Sequence, residues 1–522
     1  MKKDPDTSTL EPSPSNGHVP LAEGAARIDP GRRTRRSGSR GGFGKDVIRL
    51  VTGTVFAQGI TLALSPILTR LYGPSAFGIW ALFSSITTII GVIACLRYDI
   101  AIMLPDDDED GASLLGVSLV SLLTVTALSA IAVLAGGKAI VALLRAPAFA
   151  ASLWLVPIAV LVNGIYLALT SWNSRNRRFT RLAGARVSGS AASSTVQLGL
   201  GYGGWATAGS LVASSLAGTF VSTAVLGVEI AKKDTTVLRK GIRWDRLRRG
   251  TYRYRRFPLY GSMSVLLNSL SWQLPAILLQ RYFSAEVVGF YALGNRLLRV
   301  PMDLIGGAIS QAFYPRAAAA RGEGDLAQVV EAVYRRLVTI GFAPMVVLGI
   351  VASDLFRIAF GERWVEAGVY TQILAGWTFF WFISSPLSSL FSVLEMQAFG
   401  LKLNFLILGS RLVSLVAGGF FGNARLALVL FAVSGVLVYG YYSFAILAAA
   451  GVSWSKALRI LGAGVAAVSP LAAVLIVGKL AGAPAWGELL LAAVSLAVFF
   501  VVAMRRDPVL LAMIKSLRIP GQ

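Results

Sequence analysis

The chain holds one histidine, His18, and one cysteine, Cys95, in 522 residues. A zinc, haem or iron–sulfur site would lack ligands, and no intramolecular disulfide can form. Charge is scarce too, at 14% of residues, against about 25% in soluble domains. Acid is scarcer than base, with 26 Asp and Glu against 49 Lys and Arg. Gly44-Lys45 and Gly137-Lys138 lack the upstream glycine spacing and following Ser/Thr of a phosphate-binding loop. No H-E-x-x-H, C-x-x-C or Ser/His/Asp set can be assembled. The longest loop is basic and aromatic, where a membrane-embedded glycosyltransferase or polymerase would carry carboxylates or histidines. These absences argue against an enzyme, against ATP as the direct motor and against any need for a cofactor or metal.

What is present is apolar. Hydrophobic residues make up 55% of the chain, and mean hydropathy is +0.66. A bilayer core of about 30 Å needs roughly 20 apolar residues per helix. Fourteen spans meet this: 47–70, 75–96, 111–135, 151–171, 182–202, 207–230, 258–280, 286–312, 331–352, 367–394, 400–420, 425–449, 457–478 and 485–504. The expected fold is an all-α polytopic membrane protein. Residues 1–44, rich in Pro, Ser, Gly and Arg, read as a disordered cytoplasmic tail.

The net charge of +23 would suggest nucleic acid in a soluble protein. Here basic loops set topology and hold anionic lipid, so membrane lipids are the expected partner and nucleic acid is not. Arginines cluster in loop 172–181, in loop 231–257, in loop 313–330 and in the C-terminal tail. Loops 203–206 and 421–424 have no charge. This alternation places both termini on the cytoplasmic side. Loop 231–257 interleaves Arg243, Arg246, Arg248, Arg249, Arg253, Arg255 and Arg256 with Trp and Tyr, as an interfacial helix on anionic lipid does.

The segment from Leu68 to Leu82 returns, blurred, from Leu279 to Leu293. Arg70 matches Arg281 and Gly78 matches Gly289, each 211 residues on. The copies join spans one and two, then spans seven and eight. An even number of spans separates them, so the repeat is parallel. This gives an N-lobe at 45–230 (spans 1–6), a basic cytoplasmic linker at 231–257 and a C-lobe at 258–450 (spans 7–12). Residues 451–522 hold spans 13–14 and a cytoplasmic tail.

Ionisable residues inside spans are costly and mark function by default. Arg411 lies mid-span in span eleven. Arg296, Arg299 and Asp303 fall on one stripe of span eight, where Arg299 and Asp303 could equally form a structural pair. Arg97 and Asp99 end span two and also suit an interfacial pair. Embedded charge is mainly cationic, which suits an anionic substrate, because guanidinium pairs phosphate oxygens bidentately. The first-copy equivalents of Arg296, Arg299 and Asp303 are Ser85, Thr88 and Val92. The expected cavity is therefore asymmetric, with its arginines weighted toward the second lobe. Pro66 and Pro275 could kink spans one and seven alike.

Four stretches carry a resemblance. They are Leu68–Leu82, Leu96-Arg-Tyr-Asp-Ile-Ala-Ile-Met-Leu-Pro105, Val288-Gly-Phe-Tyr-Ala-Leu-Gly-Asn-Arg-Leu-Leu-Arg-Val-Pro301 and Phe313-Tyr-Pro315. Together they resemble the Wzx-type polysaccharide-transport flippases of the multidrug/oligosaccharidyl-lipid/polysaccharide exporter superfamily. The resemblance covers about residues 45 to 505. It implies two six-helix lobes, often with two further helices, and alternating access. It implies movement of undecaprenyl-pyrophosphate-linked oligosaccharide across the cytoplasmic membrane for exopolysaccharide, O-antigen or lipopolysaccharide, alongside polysaccharide polymerase and export machinery. A cationic cavity is typical of it, and Arg296, Arg299, Asp303, Arg411 and Arg97 are the cavity candidates. The sister drug exporters are the rival reading. Many place acidic residues in span one or seven, but spans 47–70 and 258–280 here hold no Asp or Glu.

Overall fold

The structure, a computed structural model, describes residues 40–506. The expected tail at 1–44 falls outside that range up to residue 39, and residues 507–522 fall outside it as well. Among the described residues there are helices and no strand. Each expected span is met by a helix. The first six are α1 (Arg40–Leu71), α2 (Pro74–Gly91), α3 (Asp108–Leu144), α4 (Val156–Arg175), α5 (Phe179–Tyr202) and α6 (Ala208–Lys233). The next six are α7 (Ser262–Tyr282), α8 (Ala285–Pro301), α9 (Leu326–Phe360), α10 (Val365–Ser384), α11 (Gln397–Phe420) and α12 (Ala424–Ala449). The last two, α13 (Trp454–Leu480) and α14 (Ala485–Arg506), pack on α9 through Val347, Val351, Leu471, Leu475 and Ala492. Helix α8 continues through a π-helical turn, Met302–Gly306, into Gly307–Glu323.

Ion pairs between helix ends test the count. Arg175 meets Asp108, Arg178 meets Asp234, and Arg246 meets Asp107, Glu109 and Asp110. Arg321 meets Glu395, and Lys456 meets Glu331. These residues flank even-numbered helix junctions. Arg425 with Glu366 and Lys479 with Asp354 join odd-numbered junctions. One merged or missed helix would mix the two sets. The two faces are called even and odd below.

Among the described residues, eleven helices are long and apolar enough to cross a membrane by length and composition. Helices α1, α5 and α8 are not among them. All three contribute residues to the cavity described next. Span two is shorter than expected. Helix α2 ends at Gly91, and the chain turns through Leu96 and Arg97 at φ of 48° and 63°. Non-glycine residues rarely adopt that left-handed backbone. A short helix, Tyr98–Ala101, follows and buries Asp99. Pro66 and Pro275 lie inside α1 and α7.

The lobes meet where α2 crosses α8. A methyl group on Gly78 would fall on the Ala285 carbonyl and within 3.0 Å of the Gly289 nitrogen. One on Gly289 would fall on the Pro74 carbonyl and within 3.1 Å of the Gly78 nitrogen. Close backbone approach through glycine is how helices pack where lipid gives no hydrophobic drive.

Candidate functional site

Between the lobes lies a cavity of about 600 Å³. Helix α1 contributes Gln58 and Thr61, and α4 contributes Asn163 and Tyr166. Helices α5 and α6 contribute Arg186, Gly189, Ser190, Ser193, Ser215, Gly218, Thr219 and Ser222. Helix α8 contributes Arg296 and Val300, and the π-helical turn that follows it contributes Asp303. A second pocket of about 200 Å³ continues past Arg296, Thr61 and Ser190 to Phe77 and Trp80.

Small residues make this space. At the α5–α6 crossing, a methyl on Gly218 would lie 2.6 Å from the Gly189 carbonyl oxygen. The helices touch there, and their serines and threonines leave the cavity side open. Several hydroxyls cap backbone carbonyls, such as Ser222 on Ala185 at 2.9 Å. Ser190 and Thr61 share a 3.0 Å hydrogen bond across α5 and α1.

The second lobe is filled where the first is hollow. Thr61 lines the cavity, and its repeat equivalent is Trp272, 211 residues on. Trp272 packs against Trp381, with ring centroids 4.9 Å apart, and against Trp377 at 6.2 Å. Two arginines share its ring. The guanidinium carbon of Arg411 lies 4.4 Å from the Trp272 centroid and that of Arg299 lies 4.6 Å away. Arg411 is 4% exposed. It donates to the Ser271 carbonyl at 2.7 Å, to Ser271 Oγ at 3.1 Å and to Tyr439 Oη at 3.1 Å. It ties α7, α11 and α12 together and lies outside the cavity lining.

The five candidate residues therefore separate. Arg296 and Asp303, seven residues apart, share the cavity. Arg299 leaves the expected stripe and stacks on Trp272 and Trp381. Three residues advance a helix by about 300°, so Arg299 faces about 60° away from Arg296. Arg97 sits at the even face beside the α7 entrance, its side chain within 3.9 Å of a methyl placed on Gly261. The expected weighting of arginines toward the second lobe is not what the cavity shows: its walls come mostly from the first lobe, and Arg186 of that lobe is one of its two arginines. Arg186 escaped the sequence reading although it is an ionisable residue inside span 182–202. The rule that marked Arg296 and Arg411 marks it as well.

The odd end is sealed. Trp364, fully buried, lies edge-on to Phe77 at 5.2 Å and to Phe290 at 6.1 Å. Its Nε1 donates to the Thr69 carbonyl at 3.0 Å. Gln280, the repeat equivalent of Thr69, donates at 3.5 Å to the Arg145 carbonyl of the first lobe. Both bonds run from second-lobe side chains to first-lobe carbonyls, and the equivalent positions 69 and 280 each take part in one.

Residues 67–368 match the family described as polysaccharide biosynthesis protein. The chain belongs to this family. Both the α2–α8 crossing and the cavity residues lie in the matched region, apart from those of α1 before residue 67. Among curated proteins none matches the chain. The fold is similar to solved membrane proteins. "Lipid II flippase MurJ, inward closed conformation" is 11% identical, covers 89% of this chain and 98% of its own, and has a TM-score of 0.66. An inward-facing multidrug resistance MATE family transporter of the MOP superfamily is 16% identical. It covers 80% of this chain and 98% of its own, at a TM-score of 0.62. An outward-facing structure of such a transporter is 15% identical, covers 80% and 95%, and scores 0.50. At these identities the likeness establishes the fold, that of a multi-pass membrane protein of two parallel six-helix lobes with two further helices.

Proposed function

We propose that this polysaccharide biosynthesis family member is a flippase, moving undecaprenyl-pyrophosphate-linked oligosaccharide across the cytoplasmic membrane for a cell-surface glycan such as exopolysaccharide or O-antigen. The observation that carries this reading is one cavity that holds Arg186 of the first lobe and Arg296 of the second among hydroxyls and amides. Guanidinium forks pair phosphate oxygens bidentately and keep their charge at any physiological pH. Ser190, Ser193, Thr219, Gln58 and Asn163 offer the hydrogen-bonding groups a sugar needs. The lipid tail trails into the bilayer.

The excess of Arg on the even face supports a cytoplasmic position for that face and for both termini. The cavity then faces inward and the Gly78–Gly289 seam closes it from outside. The higher TM-score with the inward-facing transporter supports this state. Transport by alternating access requires α2 and α8 to part at the odd face while the even face closes. Substrate moves because its binding differs between the two states.

Asp303 in the cavity is the one observation that favours cation-coupled drug export instead. Deleting the gene separates the readings. The flippase reading expects loss of surface polysaccharide with drug sensitivity unchanged. Drug sensitivity with the glycan intact would assign the chain to drug export. In proteoliposomes, a fluorescent polyprenyl-pyrophosphate disaccharide should change leaflets with the wild type and not with Arg296→Ala.

A further inference from the structure

The linker holds a second ligand-sized space. The helix Trp244–Arg253 lies along α3, and between them runs a groove of about 1170 Å³. Ser113, Val117, Val120 and Thr124 of α3 form one wall, and Arg249 and Arg253 stand on the other. The helix is fixed in place. Gly250 is buried against α3, where a methyl would be in van der Waals contact with Leu114 and Ser113 at 3.4 Å. Arg246 anchors it to Glu109 at 2.6 Å and to Asp110 at 3.4 Å.

Charge along this helix is unevenly neutralised. Arg246 has three carboxylate partners. Among the described residues no carboxylate pairs with Arg248, Arg249, Arg253 or Arg255; Arg253 and Arg255 lie over tyrosine rings instead. Four unneutralised guanidiniums beside a preformed groove are arranged for an anion. The apolar wall continues past the groove, because Val120, Leu123, Leu128, Ile131 and Leu134 form an exposed line down α3. Exposed Trp244, Tyr252 and Tyr260 mark the level at which aromatic rings meet headgroups.

We propose that the groove between α3 and the helix Trp244–Arg253 binds one anionic glycerophospholipid. Its phosphate lies between Arg249 and Arg253, and an acyl chain runs along Val120 and Leu123. This site is separate from the inter-lobe cavity and does not depend on what that cavity carries.

The test uses the full chain in nanodiscs of phosphatidylcholine with a tenth phosphatidylglycerol, read by native mass spectrometry after lipid stripping. Wild type should retain one phosphatidylglycerol in preference to phosphatidylcholine. Arg249→Gln/Arg253→Gln should lose at least tenfold of that retention, while Arg505→Gln/Arg506→Gln keeps it. Val120→Trp, which fills the groove and leaves the arginines, should lose it as well. Should the double glutamine variant fail to fold, Val120→Trp alone decides the outcome. Equal retention of the two lipids by wild type, unchanged retention in Val120→Trp, or preference for added undecaprenyl phosphate over phosphatidylglycerol would overturn the assignment.

Discussion

Gly78 and Gly289 stand 211 residues apart in the chain and lie against one another in the fold, each lacking room for a Cβ because of the other's helix. The contact is reciprocal, since Gly78 faces the Ala285 carbonyl and Gly289 faces the Pro74 carbonyl, and Pro74 and Ala285 are themselves equivalents. A two-fold axis between repeats requires this pattern, the same surface meeting itself. Weak sequence similarity thus becomes a structural relation between two residues.

That relation predicts a bias. A side chain at either glycine meets backbone, which cannot swing aside, and overpacking costs about 1–3 kcal/mol. The cost falls only on the state in which α2 and α8 touch. Gly78→Val/Gly289→Val should therefore expose the odd-side pocket. In a Cys95→Ala background, Leu68→Cys should react with an impermeant maleimide several-fold faster when the double substitution is added. An unchanged rate, with normal polysaccharide export, would show that the crossing does not gate the cavity.

The arginines divide by what they touch. Arg296→Ala and Arg186→Ala each remove a cavity guanidinium, and a charge-assisted hydrogen bond contributes about 1.5–3 kcal/mol. Transport should fall about tenfold to a hundredfold, with the melting temperature of Arg296→Ala changed little. Arg296→Lys should restore part of the loss in Arg296→Ala, because charge returns without the fork. Wild-type transport in both alanine variants would remove these residues from the site.

Arg411→Ala should behave differently. It orphans the buried Ser271 carbonyl and Tyr439 hydroxyl, at about 1–3 kcal/mol for each unsatisfied group, and leaves a void against Trp272. Lower melting temperature and expression are expected before any effect on substrate affinity. A stable Arg411→Ala protein with weakened substrate binding would place Arg411 in the site after all.

Much of this was legible in the chain, and the gaps have causes. Hydropathy and loop charge gave fourteen helices, because bilayer thickness fixes span length. Arg296 and Asp303 were found because charge inside a span is costly. The role of Arg411 was hidden, since its partner Ser271 is 140 residues away and no local pattern announces a contact made in three dimensions. The hollow first lobe was hidden too, although α1 and α5 carried a signal in their low hydropathy and their serines and glycines. The early end of α2 was illegible for another reason: its turn uses Leu96 and Arg97 in a backbone region where sequence leads one to expect glycine.

The even face should respond to acid through Asp234. Its carboxylate accepts two hydrogen bonds from Arg178, both 2.7 Å, and one from Trp172 Nε1 at 2.9 Å. Burial pushes the carboxyl up, but Arg178 and Trp172, with Lys233 nearby, outweigh burial and hold it below the ordinary carboxylate value. A depressed value stabilises the fold above the unfolded pKa of about 3.9, and the contribution is lost as pH falls through the lower folded value. Wild-type melting temperature should accordingly drop on acidification below about pH 4. Asp234→Asn should melt lower than wild type at pH near 7 and lose part of the acid-dependent drop, because it cannot charge. Parallel melting curves against pH for the two proteins would show that the Arg178–Asp234–Trp172 cluster holds no acid-sensitive stability.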